Sequence, residues 1–173
     1  MSRVDPSKQP GLKIAQIFLE RVTFGHREDY LTTTTTPTPD MIVGTLNVEV
    51  QAGLSEDGKN GLVRLRVKTI PENRPFYEFD VAMVALITVD EAAPNMPLAQ
   101  YVHTMGAPLL YPFMRQVVAD LTWRGRFGPV WLNPINLTEK AATIPAQPTA
   151  KGYRPSGPSK RKRARVGRAV GKG

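Results

Sequence analysis

The 173-residue chain has no cysteine, only two histidines, and no apolar run near the roughly 20 residues that a membrane span needs. Each shortage removes a class of protein. Without Cys there can be no disulfide framework, no thiolate zinc site and no thiol nucleophile. His26 and His103 stand far apart in the sequence, and the reading favoured for each is a structural or exposed side chain. No Gly-rich phosphate loop, HExxH or GxSxG motif occurs. The opening Met-Ser-Arg-Val-Asp-Pro-Ser-Lys has no apolar core, so no secretory signal is expected. Together these absences predict a soluble, cytoplasmic protein that is not an enzyme and uses no metal or cofactor.

Acidic residues are also missing, but only from one end. Residues 151–173 hold nine basic side chains and no acidic one, so 14 basic residues face 15 acidic ones in residues 1–150. The net charge of +8 therefore belongs to the tail, and the body is near neutral. Composition divides the chain into a flexible arm (1–11), a folded domain (12–142) and a Pro/Gly-rich basic tail (143–173) that should be disordered on its own.

Apolar patterning in the body predicts an α+β domain, a four-stranded antiparallel sheet followed by a long helix. In residues 12–24 apolar side chains fall on both parities, which reads as a strand contacted on both faces. Residues 30–39, with five successive Thr and two Pro, read as an extended loop. Residues 41–52 alternate, with Ile42, Leu46, Val48 and Val50 sharing one face, and a Gly-rich hairpin loop follows. In residues 62–69 Val63, Leu65 and Val67 point one way and Arg64, Arg66 and Lys68 the other. A longer strand then begins at Tyr77, with Glu78 and Asp80 on its polar face.

Matching charges across those two strands predicts a register in which Lys68 meets Glu78 and Arg66 meets Asp80. The same two carboxylates are the best-placed pair for acid–base chemistry. The facing cations would keep both ionised, which argues against that use. Pro97 is expected to open a short helix, and residues 109–124 a longer one with Pro112 in its first turn and Gly125 just past its end.

Within the helical block the residues become recognisable. Ala107-Pro-Leu-Leu-Tyr-Pro-Phe-Met-Arg115 resembles the A-P-x-L-L-F-P-F-A-R segment of the SecB export chaperones, one residue shorter near its start. Ala119-Asp-Leu-Thr122, Arg124-Gly-Arg-Phe-Gly-Pro129 and Leu132-Asn-Pro-Ile-Asn136 parallel the family's A-D-x-T, G-x-F-P-P and L-x-P-I-[DN] elements. Ile17–Phe24 is similar to its first strand and Asp80–Ile87 to its fourth, so the resemblance covers residues 12–137.

This resemblance implies a homo-oligomer, a dimer of dimers, that holds unfolded client polypeptides in apolar grooves without ATP. Phe24, Tyr30, Met41, Tyr77, Met83 and Met114 are the adaptable apolar side chains expected to contact clients. It also implies docking of the translocation ATPase SecA on acidic sheet residues, so the partner-docking positions are Arg21, Gly25, Glu78 and Asp80. Asp80 matches a family acid, whereas Arg21 and Gly25 stand where exporters commonly carry acids, which counts against that docking. SecB-like relatives that control toxin–antitoxin pairs accommodate such departures.

Lys160, Arg161, Lys162, Arg163, Arg165 and Arg168 suit phosphate contact with RNA or an anionic membrane surface. The alternative reading of the whole chain is accordingly an RNA-anchored structural protein, possibly ribosome-associated, that reuses the same fold.

Overall fold

The computed structural model describes residues 11–34, 36–89 and 96–137. Strand β1 (Leu12–His26) leads through a 3₁₀ turn (Glu28–Leu31) to a short helix, α1 (Pro39–Val43). Strands β2 (Leu46–Leu54), β3 (Asn60–Thr69) and β4 (Tyr77–Val89) follow, then helices α2 (Leu98–Thr104) and α3 (Gly106–Thr122). All strand pairs are antiparallel and lie in the order β1-β4-β3-β2, which leaves β1 and β2 as the edges. The expected α+β architecture is present. The arm before Gly11 and the basic tail lie outside the described residues.

One face of the sheet is apolar because the strands alternate with period two. Val63, Leu65 and Val67 on β3 and Phe79, Val81, Ala85 and Ile87 on β4 are at most 3% exposed. Leu110, Met114 and Val118, spaced along one side of α3, close over them. Gly106, the first residue of α3, sits so near the sheet that a Cβ there would lie 2.3 Å from Val63 Cγ2.

Strand β1 is where alternation misleads. Its apolar residues switch parity twice, and the structure puts a β-bulge at each switch, between Ile14 and Gln16 and between Leu19 and Arg21. Each extra residue restores the phase. Leu12, Ile14, Ile17, Leu19, Val22 and Phe24 therefore all pair with the odd-numbered, helix-side residues of β4. Phe18 is the exception: it pairs with Val84 on the outward face and is half-buried there. The expectation of a strand contacted on both faces is thus corrected to one twice re-phased apolar face, with a single apolar contact on the other.

Two further expectations are corrected. Residues 41–43 belong to α1 rather than to a strand, because Pro39 sets the first helical turn and Gly44, at φ 63°, ends it. Helix α3 begins at Gly106, so Pro112 is interior rather than in the first turn. Its missing N–H removes one backbone hydrogen bond, and burial of Leu110 and Met114 on either side holds the helix together.

Candidate functional site

The outward face of the sheet carries the charges. Arg66 clamps Asp80 with two hydrogen bonds, Nε to Oδ1 at 2.7 Å and Nη2 to Oδ2 at 2.6 Å. Its third nitrogen reaches Glu49 on β2 at 3.3 Å, and Lys68 Nζ lies 3.1 Å from the same carboxylate. Arg21, on the other side of β4, approaches Asp80 at 3.5 Å, and Arg64 pairs with Glu20.

The predicted partners are present, but the register is displaced. Lys68 faces Asp80 and Arg66 faces Ala82, so the Arg66–Asp80 pair is diagonal. A slip of two residues keeps every side chain on its own face, so hydropathy cannot choose between the registers. Thr69 decides locally: its hydroxyl accepts the Phe79 N–H at 3.1 Å and stands in for the next rung of the ladder. Glu78 falls beyond the last pair, and among the described residues it has no hydrogen-bond or ion-pair partner.

Next to this network the β3–β4 connection folds outward and walls a groove of about 640 Å³. Thr23 and Gly25 form its β1 side, Asn47 and Lys68 its far side, and Ile70, Pro71 and Glu72 its wall. Glu78 and Asp80 line its floor. The four predicted docking positions thus come together: Gly25, Glu78 and Asp80 line the groove, and Arg21 holds Asp80 from the side.

Hydrogen bonding from Arg66 holds the Asp80 carboxyl below its ordinary pKa, with Arg21 and Lys68 adding to the effect against partial desolvation. Lys68, then Arg66, do the same for Glu49. A carboxylate with a lowered folded-state pKa stabilises the fold above its unfolded value, near 4, and that stability is lost as pH falls through the folded value. The urea midpoint should therefore drop between about pH 5 and pH 2. Asp80→Asn should lower the unfolding free energy by about 1–2 kcal/mol at neutral pH and flatten the acid limb. A variant with an unchanged acid limb contradicts this assignment.

The helix-side surface is the second candidate. α2 and α3 pack over β2, β3 and β4 and leave the inner face of β1 open. Ile14, Leu19 and Val22 are 46%, 46% and 41% exposed. Sequence reading missed these three, and it also missed Met105, Phe113, Trp123 and Trp131, all of which are exposed. The parity switches were the available signal for the β1 residues.

The six residues expected to contact clients separate by burial. Met41 is exposed, while Phe24 and Tyr30 are half-buried around His26, whose ring stacks on Tyr30 at 4.4 Å. Tyr77, Met83 and Met114 are sealed in the core, which corrects their placement on a binding surface. Tyr77 has a structural duty: its hydroxyl accepts the Phe127 N–H at 2.7 Å and donates to the Gly128 carbonyl at 3.3 Å. Arg126 completes that tie by donating to the carbonyls of Tyr30, Leu31 and Thr33. The tail residues Lys160, Arg161, Lys162, Arg163, Arg165 and Arg168 lie outside the described residues. Among the described residues no group of three His, Asp or Glu side chains could hold a metal, and no helix is long and apolar enough to cross a membrane.

The chain is similar in sequence and in fold to known proteins. Residues 5–140 match the family model described as preprotein translocase subunit SecB. The protein-export protein SecB of Acidithiobacillus ferrooxidans is 30% identical over 128 residues, covering 71% of this chain and 82% of that relative. The SecB of Bartonella quintana is 26% identical over 92 residues, and the match spans 58% of its length, less than two thirds. In fold the chain is similar to a SecB-like chaperone of Mycobacterium tuberculosis, solved in complex with a ChAD peptide from the HigA1 antitoxin. That similarity has a TM-score of 0.50 at 23% identity and covers 72% of this chain and 90% of the other.

Proposed function

Because the chain belongs to the SecB family, we propose that it is an ATP-independent chaperone holding unfolded polypeptides on the open face of β1. The carrying observation is that face: three half-exposed aliphatic side chains on an edge strand, outside the main packing of the described helices α2 and α3. Unfolded clients share no sequence, but they share a free backbone and scattered apolar side chains. An edge strand offers hydrogen bonds to the first, and an aliphatic stripe offers burial to the second. Phe24 within the strand, and the half-buried Tyr30 and exposed Met41 after it, would add further apolar contacts for a client. On this reading the protein works in the cytoplasm as a homo-oligomer, a dimer of dimers, and its clients are export precursors or an antitoxin.

Holding is tested with a denatured, slow-folding client at one tetramer per client. Suppressed aggregation without added nucleotide supports the reading, and failure to hold any such client removes it. SecA docking is not part of the proposal. Arg21 and Arg66 already neutralise Asp80, and Gly25 offers no carboxylate.

The tail motivates a second activity, anchoring to RNA or another anionic surface, on the strength of its nine cations and no acid. Deleting residues 151–173 should abolish low-salt RNA binding and leave the oligomer intact. For the intact chain, contact through the six cations between Lys160 and Arg168 should give a log–log salt slope of about −4 on single-stranded RNA. RNA binding retained by the truncated chain sinks this idea.

A further inference from the structure

We infer that the outer groove is a docking site for a basic peptide, and that its resident occupant is the chain's own segment Lys160-Arg-Lys-Arg-Ala-Arg165. The groove is concave and bare where Gly25 lies: a Cβ built there meets nothing within 4 Å. Glu72 and Glu78 in its lining are the carboxylates without a partner among the described residues. Asp80 is held by Arg66 and Arg21, and the lining cation, Lys68, is held by Glu49. The groove therefore offers two carboxylates, Glu72 and Glu78, that no described cation pairs with, while residues 151–173 hold nine basic side chains and no acidic one.

Reach is sufficient. The described chain ends at Leu137, buried on the helix side, and 22 residues separate it from Lys160. Fully extended, 22 residues reach at most about 75 Å, against a radius of gyration of about 14 Å for a body of this size. Because the segment and the groove belong to one chain, the contact is intramolecular and needs less intrinsic affinity than a free peptide would. Salt weakens the contact, and polyanions such as RNA draw the segment out. The groove is then self-covered until something competes for the tail. The inference does not depend on client holding.

The cysteine-free sequence makes the test direct, because any thiol introduced is unique. Full-length chain carrying Gly25→Cys with Arg163→Cys is compared with Gln116→Cys with Arg163→Cys, which places the first thiol on exposed α3. Under mild oxidation in dilute protein, the intramolecular disulfide at position 25 should form about tenfold faster than at position 116. That advantage should vanish in about 1 M salt and in the Glu72→Lys, Glu78→Lys background. Thr23→Cys, also in the groove, replaces Gly25→Cys if the latter unfolds the chain. Equal rates at the two positions, an advantage that survives the charge reversal, or disulfide-linked dimers in place of the internal bond would each overturn the inference. So would protection of the groove thiol by an added basic peptide in a chain whose own tail does not react.

Discussion

Gly106→Ala will destabilise the fold by about 2–3 kcal/mol, although alanine is the better helix former. The propensity gain is at most about 1 kcal/mol. Against it stands a methyl group placed 2.3 Å from Val63 Cγ2 and 3.1 Å from that residue's Cβ. Val63 is fully buried and β-branched, so it has no free rotamer to move into. Helix α3 must lift or β3 must bend, and either opens the Leu110–Met114 contact with the sheet. Chemical denaturation of the wild type, the single variants and the Gly106→Ala, Val63→Ala pair checks this. The smaller side chain makes room for the methyl, so the double variant should be more stable than the sum of the two losses predicts, by at least about 1 kcal/mol. Strict additivity contradicts direct contact as the cause.

Ile14→Asp, Leu19→Asp and Val22→Asp together should nearly abolish client holding while leaving the fold intact. Each half-exposed aliphatic side chain forfeits roughly 1 kcal/mol of burial against a client, and about 3 kcal/mol corresponds to a loss of affinity of roughly 100-fold. Because the three residues are 41–46% exposed in the chain itself, thermal stability should change by only a few degrees. Sedimentation separates the two uses this face can have. Loss of holding in a variant that still assembles assigns the face to clients, and loss of assembly assigns it to the subunit interface. A triple variant that holds client as well as the wild type does would remove β1 from the proposed surface.

Much of this was legible because alternation and helical spacing are strong local signals. Val63, Leu65 and Val67 fall on one strand face by alternation, and residues 109–124 read as a helix by spacing; that these two surfaces meet is seen only in the fold. What escaped notice was whatever local pattern leaves degenerate. A slip of two residues preserves every face, so the charges on Lys68 and Glu78 suggested a register that the Thr69 side chain and Glu49 on β2 override. Burial was also unreadable for single residues. Tyr77 and Met83 have the chemistry of adaptable contacts, yet they lie in strand β4, which runs between β1 and β3 beneath α3. Strand pairing does bring Gly25 and Glu78, distant in sequence, together as direct partners.

The two bulges in β1 bear on a hazard that any protein with a long exposed edge must manage. Fifteen residues of uninterrupted flat edge would template further copies of itself, growing strand by strand into a fibre. Bulging at Ala15 and Glu20 cuts that edge into three short, mutually twisted registers, Leu12–Ile14, Gln16–Leu19 and Arg21–His26. An incoming chain can match one of them but cannot stay in phase across all three. On the proposed client-holding role, a captured segment would be limited to a handful of residues at a time, which would permit release and deny polymerisation a continuous template.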